Sequence, residues 1–162
     1  MPFTPFHLGP GALFKAVGGN RFSFMVFGGA QFLMDIEPLV RMQAGDDILH
    51  GPTHTVFGAL VIGAIAAGTG KPISSTVLRS LRTDSRTLTW RVSFVSAFIG
   101  TFSHVLFDAV MHRDMAPFWP FASGNPFLDV VSILWLHAFC FASGLLGLTV
   151  ILLRGEKTPD KN

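Results

Sequence analysis

The sequence is poor in charge and nearly free of cysteine. Only 14% of its 162 residues are charged, against about 25% in ordinary soluble domains. A single cysteine, Cys140, excludes an intramolecular disulfide and any cysteine-based zinc cluster. Tyrosine is absent, and the aromatic residues are 17 phenylalanines and 3 tryptophans. With 49% hydrophobic residues and a mean hydropathy of +0.50, this composition is typical of a membrane protein.

The positive charge is small and confined to a few stretches. The formal net charge is +2, and the grouping of the basic residues indicates membrane topology rather than a nucleic-acid partner. The N-terminus has no basic region and no small-residue cleavage site after an apolar core. We therefore expect it to remain in the mature protein.

Five apolar segments divide the chain: 7–17, 22–42, 53–70, 92–111 and 127–153. The first would rise about 16 Å as a helix, against a hydrocarbon core of about 30 Å, so it can enter the membrane without crossing it. The sequence thus predicts an all-α, multi-pass transmembrane bundle. We expect about four spanning helices and a short N-terminal membrane-dipping helix, in one membrane-embedded domain over residues 1–153.

Local signals refine these segments. Pro38 follows Asp35 and Glu37 closely, and the residue before a proline disfavours α geometry, so the second segment should end or kink there. The dipeptide at 51–52, Gly-Pro, predicts a helix start. The small residues between positions 58 and 67 suit close helix packing.

Charge counts predict the orientation. The segment 71–91 carries five basic residues against Asp84, and the positive-inside rule places it in the cytoplasm. Lys15 and Arg21 agree with this orientation, as does the polar tail 154–162. We therefore expect the N-terminal basic residues and the tail in the cytoplasm, and the segments 41–52 and 112–126 outside.

A polar stripe interrupts the apolar segment 92–111. His104 and Asp108 are four residues apart, which places both on one face of a helix. His112 extends the row within an arc of about 80°. One interpretation is a His–Asp hydrogen bond between packed helices, and the other is a metal site.

Other segments bring the same residue types to the same membrane face. Asp35 and Glu37 lie near the outer end of the second segment, and His50 and His54 lie at the outer start of the third. His7 joins them if the dipping segment starts outside. The predicted site therefore opens outward.

The residue types point to a divalent cation. A charge at the bilayer centre costs about 2.5–3.5 kcal/mol, so intramembrane acids are normally paired or functional. Imidazole and carboxylate without thiolate suit zinc first, with manganese or iron as alternatives. Such an ion lowers the pKa of bound water and polarises a phosphoryl or carbonyl oxygen. One or two ions are possible, two of them sharing Asp108.

Short motifs carry a family resemblance. They are Leu33-Met34-Asp35-Ile36-Glu37-Pro38, Gly51-Pro52-Thr53-His54-Thr55, Ser103-His104-Val105-Leu106-Phe107-Asp108 and Pro117-Phe118-Trp119-Pro120. In this order, with the opening Met1-Pro2-Phe3-Thr4-Pro5-Phe6-His7, they resemble the bacterial inner-membrane metal-dependent hydrolases of the LexA-regulated type. The resemblance covers roughly residues 1–130. It implies an inner-membrane metal hydrolase with ligands at His7, Asp35, His54, His104 and Asp108.

The chain departs from this family at two positions. Glu37 stands where the family often has an aspartate, and His50 lies out of register with an additional family histidine. We include His50 and His112 as candidate ligands, and Glu37 and Asp114 as candidate catalytic bases. The His-x-x-x-Asp pair is also distantly similar to zinc-dependent phospholipases C and single-strand nucleases, which implies a phosphoester substrate.

The leading hypothesis is a membrane-embedded hydrolase of an ester or phosphoester, including a lipid-linked one. Its partners would be membrane lipid and a small-molecule or lipid-linked substrate. A divalent-cation transporter or channel is an alternative, although transport sites favour the membrane midplane and these residues gather toward one end. A non-catalytic membrane protein with a structural metal site is another.

Overall fold

The computed structural model describes residues 4–81 and 88–155, and within these ranges all regular structure is helical. The α-helices are α1 (Thr4–Gly18), α2 (Phe24–Met34), α3 (Ile36–Ala44), α4 (Val56–Ser80), α5 (Trp90–Met111) and α6 (Ile133–Gly155). Two short 3₁₀ helices, Gly19–Arg21 and Pro52–His54, lie between them. The prediction of an all-α bundle is confirmed.

Three helices, α4, α5 and α6, are long and apolar enough to cross a membrane. The predicted count of four spans plus a dipping helix is not confirmed, because the segment 22–42 divides into α2 and α3 at Asp35. Pro38 has no N–H to donate to the carbonyl of Met34, and its ring crowds that carbonyl. The 11 residues of α2 rise only about 16 Å.

Several predicted boundaries shift. Residues 71–80 of the expected loop 71–91 continue α4, and residues 82–87 lie outside the described ranges. The predicted helix start at 51–52 is a 3₁₀ turn, and α4 begins at Val56 because Thr55 Oγ1 accepts a hydrogen bond from the Gly58 N–H at 2.9 Å. Of the predicted tail 154–162, the first two residues belong to α6 and 156–162 are not described.

α1 and α6 run side by side in the same direction. The backbone of Gly9 meets that of Cys140, and Gly147 meets Ala12, with no room for a Cβ at either glycine. Such small residues let helix backbones approach closely in a membrane. α1 therefore lies along a membrane-crossing helix although it is too short to cross alone.

α2 packs against both α4 and α5 through small side chains. A buried cluster joins these three helices, and it includes Leu88, which lies just before α5. Its members are Val26, Ala30, Ala66, Ala67, Leu88 and Ala97. Ser93 Oγ donates to the carbonyl of Ala67 at 2.8 Å, which ties α5 to α4. As a result, the end of α2, the start of α4 and the end of α5 meet at one end of the bundle.

Candidate metal centre

α5 supplies the first two predicted ligands near its C-terminal end. His104 and Asp108 are both fully buried, and His104 Nε2 lies 3.0 Å from Asp108 Oδ2. Their spacing of one helical turn directs both side chains into the bundle. An imidazole and a carboxylate therefore stand together away from lipid.

Asp35 and His54 reach this pair from separate segments. Asp35 stands at the break between α2 and α3, with Oδ1 3.4 Å from His104 Nε2. His54 ends the second 3₁₀ helix, and its Nε2 lies 3.3 Å from His104 Nε2 and 3.5 Å from Asp108 Oδ2. One ligand atom from each of these four buried residues lies within 4.8 Å of the others. We call Asp35, His54, His104 and Asp108 the first group.

α1 brings His7 against the same carboxylate. His7 Nε2 lies 3.4 Å from Asp108 Oδ1, and the His7 ring meets the His104 ring edge-on at a centroid distance of 4.7 Å. His7 is 2% exposed, so it lies inside the protein rather than at the membrane interface. α1 thus begins at the end of the bundle where the first group lies.

Two further histidines form a second group with Asp108. His50 precedes the 3₁₀ turn and His112 follows α5, and their rings stack at a centroid distance of 4.2 Å. One ligand atom from each of His50, Asp108 and His112 lies within 4.8 Å of the other two. Asp108 therefore belongs to both groups.

Several polar atoms of the two groups are buried without a hydrogen bond. Within residues 4–81 and 88–155 these atoms are both oxygens of Asp108 and the Nε2 atoms of His50 and His112. An unpaired buried carboxylate costs several kcal/mol, and a cation among the imidazole nitrogens that lie 3.0–3.5 Å from Asp108 would offset this cost. A divalent metal ion fits this set of nitrogen and oxygen donors.

His54 and His112 lie outside the membrane-crossing helices, and both are held as neutral imidazoles, the form that binds metal. Burial and the nearby His104 ring lower the pKa of His54 to about 3. Burial and the neighbouring His50 ring also lower the pKa of His112. Both side chains are therefore neutral near pH 7, as an imidazole ligand must be.

Gln31 fixes the orientation of His104. His104 Nδ1 lies 2.6 Å from Gln31 Oε1, and the Gln31 amide donates to the carbonyl of Gly100 at 3.2 Å. The carbonyl oxygen of Gln31 accepts the Nδ1–H, which leaves Nε2 of His104 free to act as a ligand.

Glu37 and Thr53 perform the same task for His54. Thr53 Oγ1 lies 3.1 Å from His54 Nδ1, and the Thr53 hydroxyl and backbone N–H both donate to Glu37 Oε2. The other oxygen of Glu37 accepts from Arg41 Nε at 2.9 Å. This chain of hydrogen bonds directs His54 Nε2 toward the first group.

Asp114 holds His50. Asp114 Oδ2 accepts from the backbone N–H groups of Leu49 and His50 at 2.8 and 3.0 Å, and His50 Nδ1 lies 3.0 Å from both carboxylate oxygens. Partial burial alone would raise the pKa of Asp114, but these hydrogen bonds lower it to about 2. An ionised Asp114 thus orients His50 so that Nε2 faces the second group.

The structure brings every predicted metal ligand into the first or second group or, for His7, against Asp108. The candidate bases Glu37 and Asp114 lie further out and contact Thr53 and His50, and their catalytic roles stay predictions. Sequence reasoning missed Gln31 and Thr53. A glutamine one turn before Asp35 in an apolar helix is the signal that could have revealed Gln31.

Comparison with models of known protein families identifies the family of the chain. Residues 21–158 match the family model of the YdjM inner membrane protein, which is more than half of the chain. The chain belongs to the YdjM inner membrane protein family. The matched residues include both groups, while His7 lies before them. No curated protein and no solved structure matches the chain significantly. Membership of the YdjM family agrees with the three apolar helices in identifying an inner-membrane protein.

Proposed function

We propose that this YdjM-family protein is a membrane-embedded, metal-dependent hydrolase of an ester or phosphoester, including a lipid-linked one. The observation that carries the proposal is Asp108. Its two oxygens are buried without a hydrogen bond in the described part of the chain, and imidazole nitrogens of His7, His54 and His104 lie 3.0–3.5 Å from them.

The first and second groups would each hold one ion, and Asp108 would supply an oxygen to both. The donor set favours zinc, with manganese or iron as alternatives. When bound, such an ion supplies a water of lowered pKa as nucleophile and polarises the scissile carbonyl or phosphoryl group. The resemblance of the chain's short motifs to bacterial inner-membrane metal-dependent hydrolases supports this chemistry.

The surrounding residues position the ligands and exclude water. Gln31, Thr53 with Glu37, and Asp114 orient His104, His54 and His50. Because these ligands are buried, a charge that develops in the reaction would be stabilised more strongly than in water. The contacts of Glu37 and Asp114 support positioning roles for both residues.

The charge distribution supports an orientation with the site facing outward. Arg21 and Arg154 mark the opposite end of the bundle, where Arg154 donates to the carbonyl of Ala16 at the end of α1. Basic residues near the ends of membrane-crossing helices that are joined by short loops stay on the cytoplasmic side. The proposed site, at the opposite end of the bundle, therefore opens on the outer face of the bacterial inner membrane. A cytoplasm-dependent fluorescent reporter fused to the C-terminus should therefore fluoresce.

The test is turnover by the purified protein in detergent. We expect zinc or manganese to restore hydrolysis of a chromogenic phosphodiester, a chromogenic carboxylic ester or a phospholipid after chelation, and Asp108→Asn to abolish it. The matched control is His137→Phe, since the His137 ring packs against the Phe6 ring and His137 belongs to neither group. A metal-loaded protein without turnover of any of these classes would favour a structural metal site.

A further inference from the structure

A cleft with a few polar side chains opens beside the second group. Its volume is about 330 Å³, and His50, Asp114 and Trp119 are among the residues that line it. His50 is 4% exposed and presents an Nε2 without a hydrogen-bond partner in the described part of the chain. A molecule in this cleft would therefore lie next to the proposed metal ligands.

An apolar pocket adjoins this cleft. It has a volume of about 150 Å³ and is lined by Val56, Phe57, Leu60, Phe118, Trp119 and Phe121. Three of these residues belong to the first turns of α4, which is apolar enough to cross the membrane. The pocket is therefore formed by apolar side chains at the end of a helix that can cross the membrane.

Trp119 forms a wall of both cavities. Its position is fixed by backbone hydrogen bonds: Trp119 N–H donates to the Ala116 carbonyl at 3.0 Å, and Val56 N–H donates to the Pro117 carbonyl at 2.8 Å. The loop that carries Trp119 is thus attached to the start of α4. The cleft and the apolar pocket are consequently neighbouring compartments that share one indole ring as a wall.

We propose that the substrate is a single molecule with both characters: a lipid whose phosphoester head occupies the cleft beside His50 and whose hydrocarbon chain occupies the pocket beside Phe57. This inference rests on the proposed function and specifies its substrate class. A water-soluble phosphoester would leave the apolar compartment unused. Trp119 would set the distance between the head and the first part of the chain, since an indole ring suits the boundary between polar and apolar surroundings.

The test compares two non-hydrolysable ligands with the same head: dodecylphosphonate and methylphosphonate. Their binding is measured by calorimetry on zinc-loaded protein in one detergent, for wild type, Phe57→Ser and Phe32→Ser. Phe57 and Phe32 are matched in type and exposure, at 58% and 60%, but Phe32 lies on α2 away from both cavities. We expect Phe57→Ser to weaken dodecylphosphonate binding about tenfold, from the lost apolar contact. Phe32→Ser should leave it unchanged.

The outcomes separate this inference from the proposed function. Equal dodecylphosphonate affinity in both variants, or no advantage of dodecylphosphonate over methylphosphonate in wild type, would overturn the lipid substrate. Turnover of the chromogenic phosphodiester or carboxylic ester by the same wild-type protein would then still support the hydrolase. Wild type without metal would overturn both. Leu60→Ser, in the same pocket, replaces Phe57→Ser if thermal unfolding shows that the latter is misfolded.

Discussion

Gln31 Oε1 lies 2.6 Å from His104 Nδ1, and this contact links α2 to α5 at the centre of the site. Gln31 is fully buried, and its amide is held by the Gly100 carbonyl at 3.2 Å and by Ser103 Oγ at 3.3 Å. The amide oxygen therefore faces the imidazole. Nε2 of His104 is directed toward Asp35 and Asp108 as a consequence.

Replacing Gln31 by leucine should weaken metal binding without removing a ligand. The variant keeps the side-chain volume but loses the acceptor for Nδ1–H, and outer-shell partners of this kind contribute about 10–100-fold to metal affinity. Competition with a chromophoric chelator measures the change. Gln43→Leu, on the exposed face of α3, is the matched control. Unchanged zinc affinity in Gln31→Leu would show that His104 is oriented without Gln31.

Glu37→Gln distinguishes positioning from base catalysis. The amide can accept from only one of the two groups that Glu37 now joins, Thr53 and Arg41, so His54 should lose its fixed orientation. We expect about tenfold weaker zinc binding, and turnover that returns when zinc is added in excess. Asp47→Asn, at an exposed position, should change neither. Full zinc affinity with turnover abolished would instead identify Glu37 as the catalytic base.

Asp114→Asn tests the second group separately from the first. The amide has one acceptor oxygen for three donors, the N–H groups of Leu49 and His50 and the Nδ1 of His50, so the His50 ring should lose its fixed orientation, whereas the first group keeps all its ligands. Elemental analysis should therefore show the metal content falling from two ions per chain to one. The control is Asp129→Asn, because the Asp129 side chain forms an exposed pair with Arg113 at 3.8 Å and belongs to neither group. Two ions retained in Asp114→Asn would contradict the role given to Asp114.

Gly9→Ala should separate α1 from α6. A Cβ at Gly9 would overlap the backbone carbonyl of Cys140, and overpacking of this kind costs about 1–3 kcal/mol. The melting temperature in detergent should fall, and zinc affinity should fall with it because α1 carries His7. Gly68→Ala is the control, since nothing lies within 4 Å of a Cβ there. An unchanged melting temperature would mean that α1 is not packed tightly against α6.

Features set by local spacing could be predicted from the sequence. The placement of His104 and Asp108 on one face follows from the helical period alone, and the break near Asp35 follows from Pro38. The convergence of His7, Asp35 and His54 on them could be predicted because helix length and charge counts assign each segment end to a membrane face.

Features set by contacts between distant segments could not be predicted. The Gln31–His104 pair spans 73 residues and the Asp114–His50 pair spans 64, and no local pattern records either. The number of helices long enough to cross the membrane could not be derived from hydropathy either, because hydropathy measures the apolar length of a segment and not the direction of its backbone. The continuation of α4 beyond residue 70 was missed since charged residues do not prevent a helix from extending past the membrane.

The most direct test of the metal centre is the metal content per chain of detergent-purified protein, by elemental analysis, for wild type, His104→Ala, Asp108→Ala and the control His137→Phe. We expect zinc, manganese or iron in wild type and in His137→Phe, with the largest loss in Asp108→Ala because Asp108 belongs to both groups. Wild type that remains metal-free after incubation with each of these ions, while still folded by thermal unfolding, would contradict the metal centre and the hydrolase together.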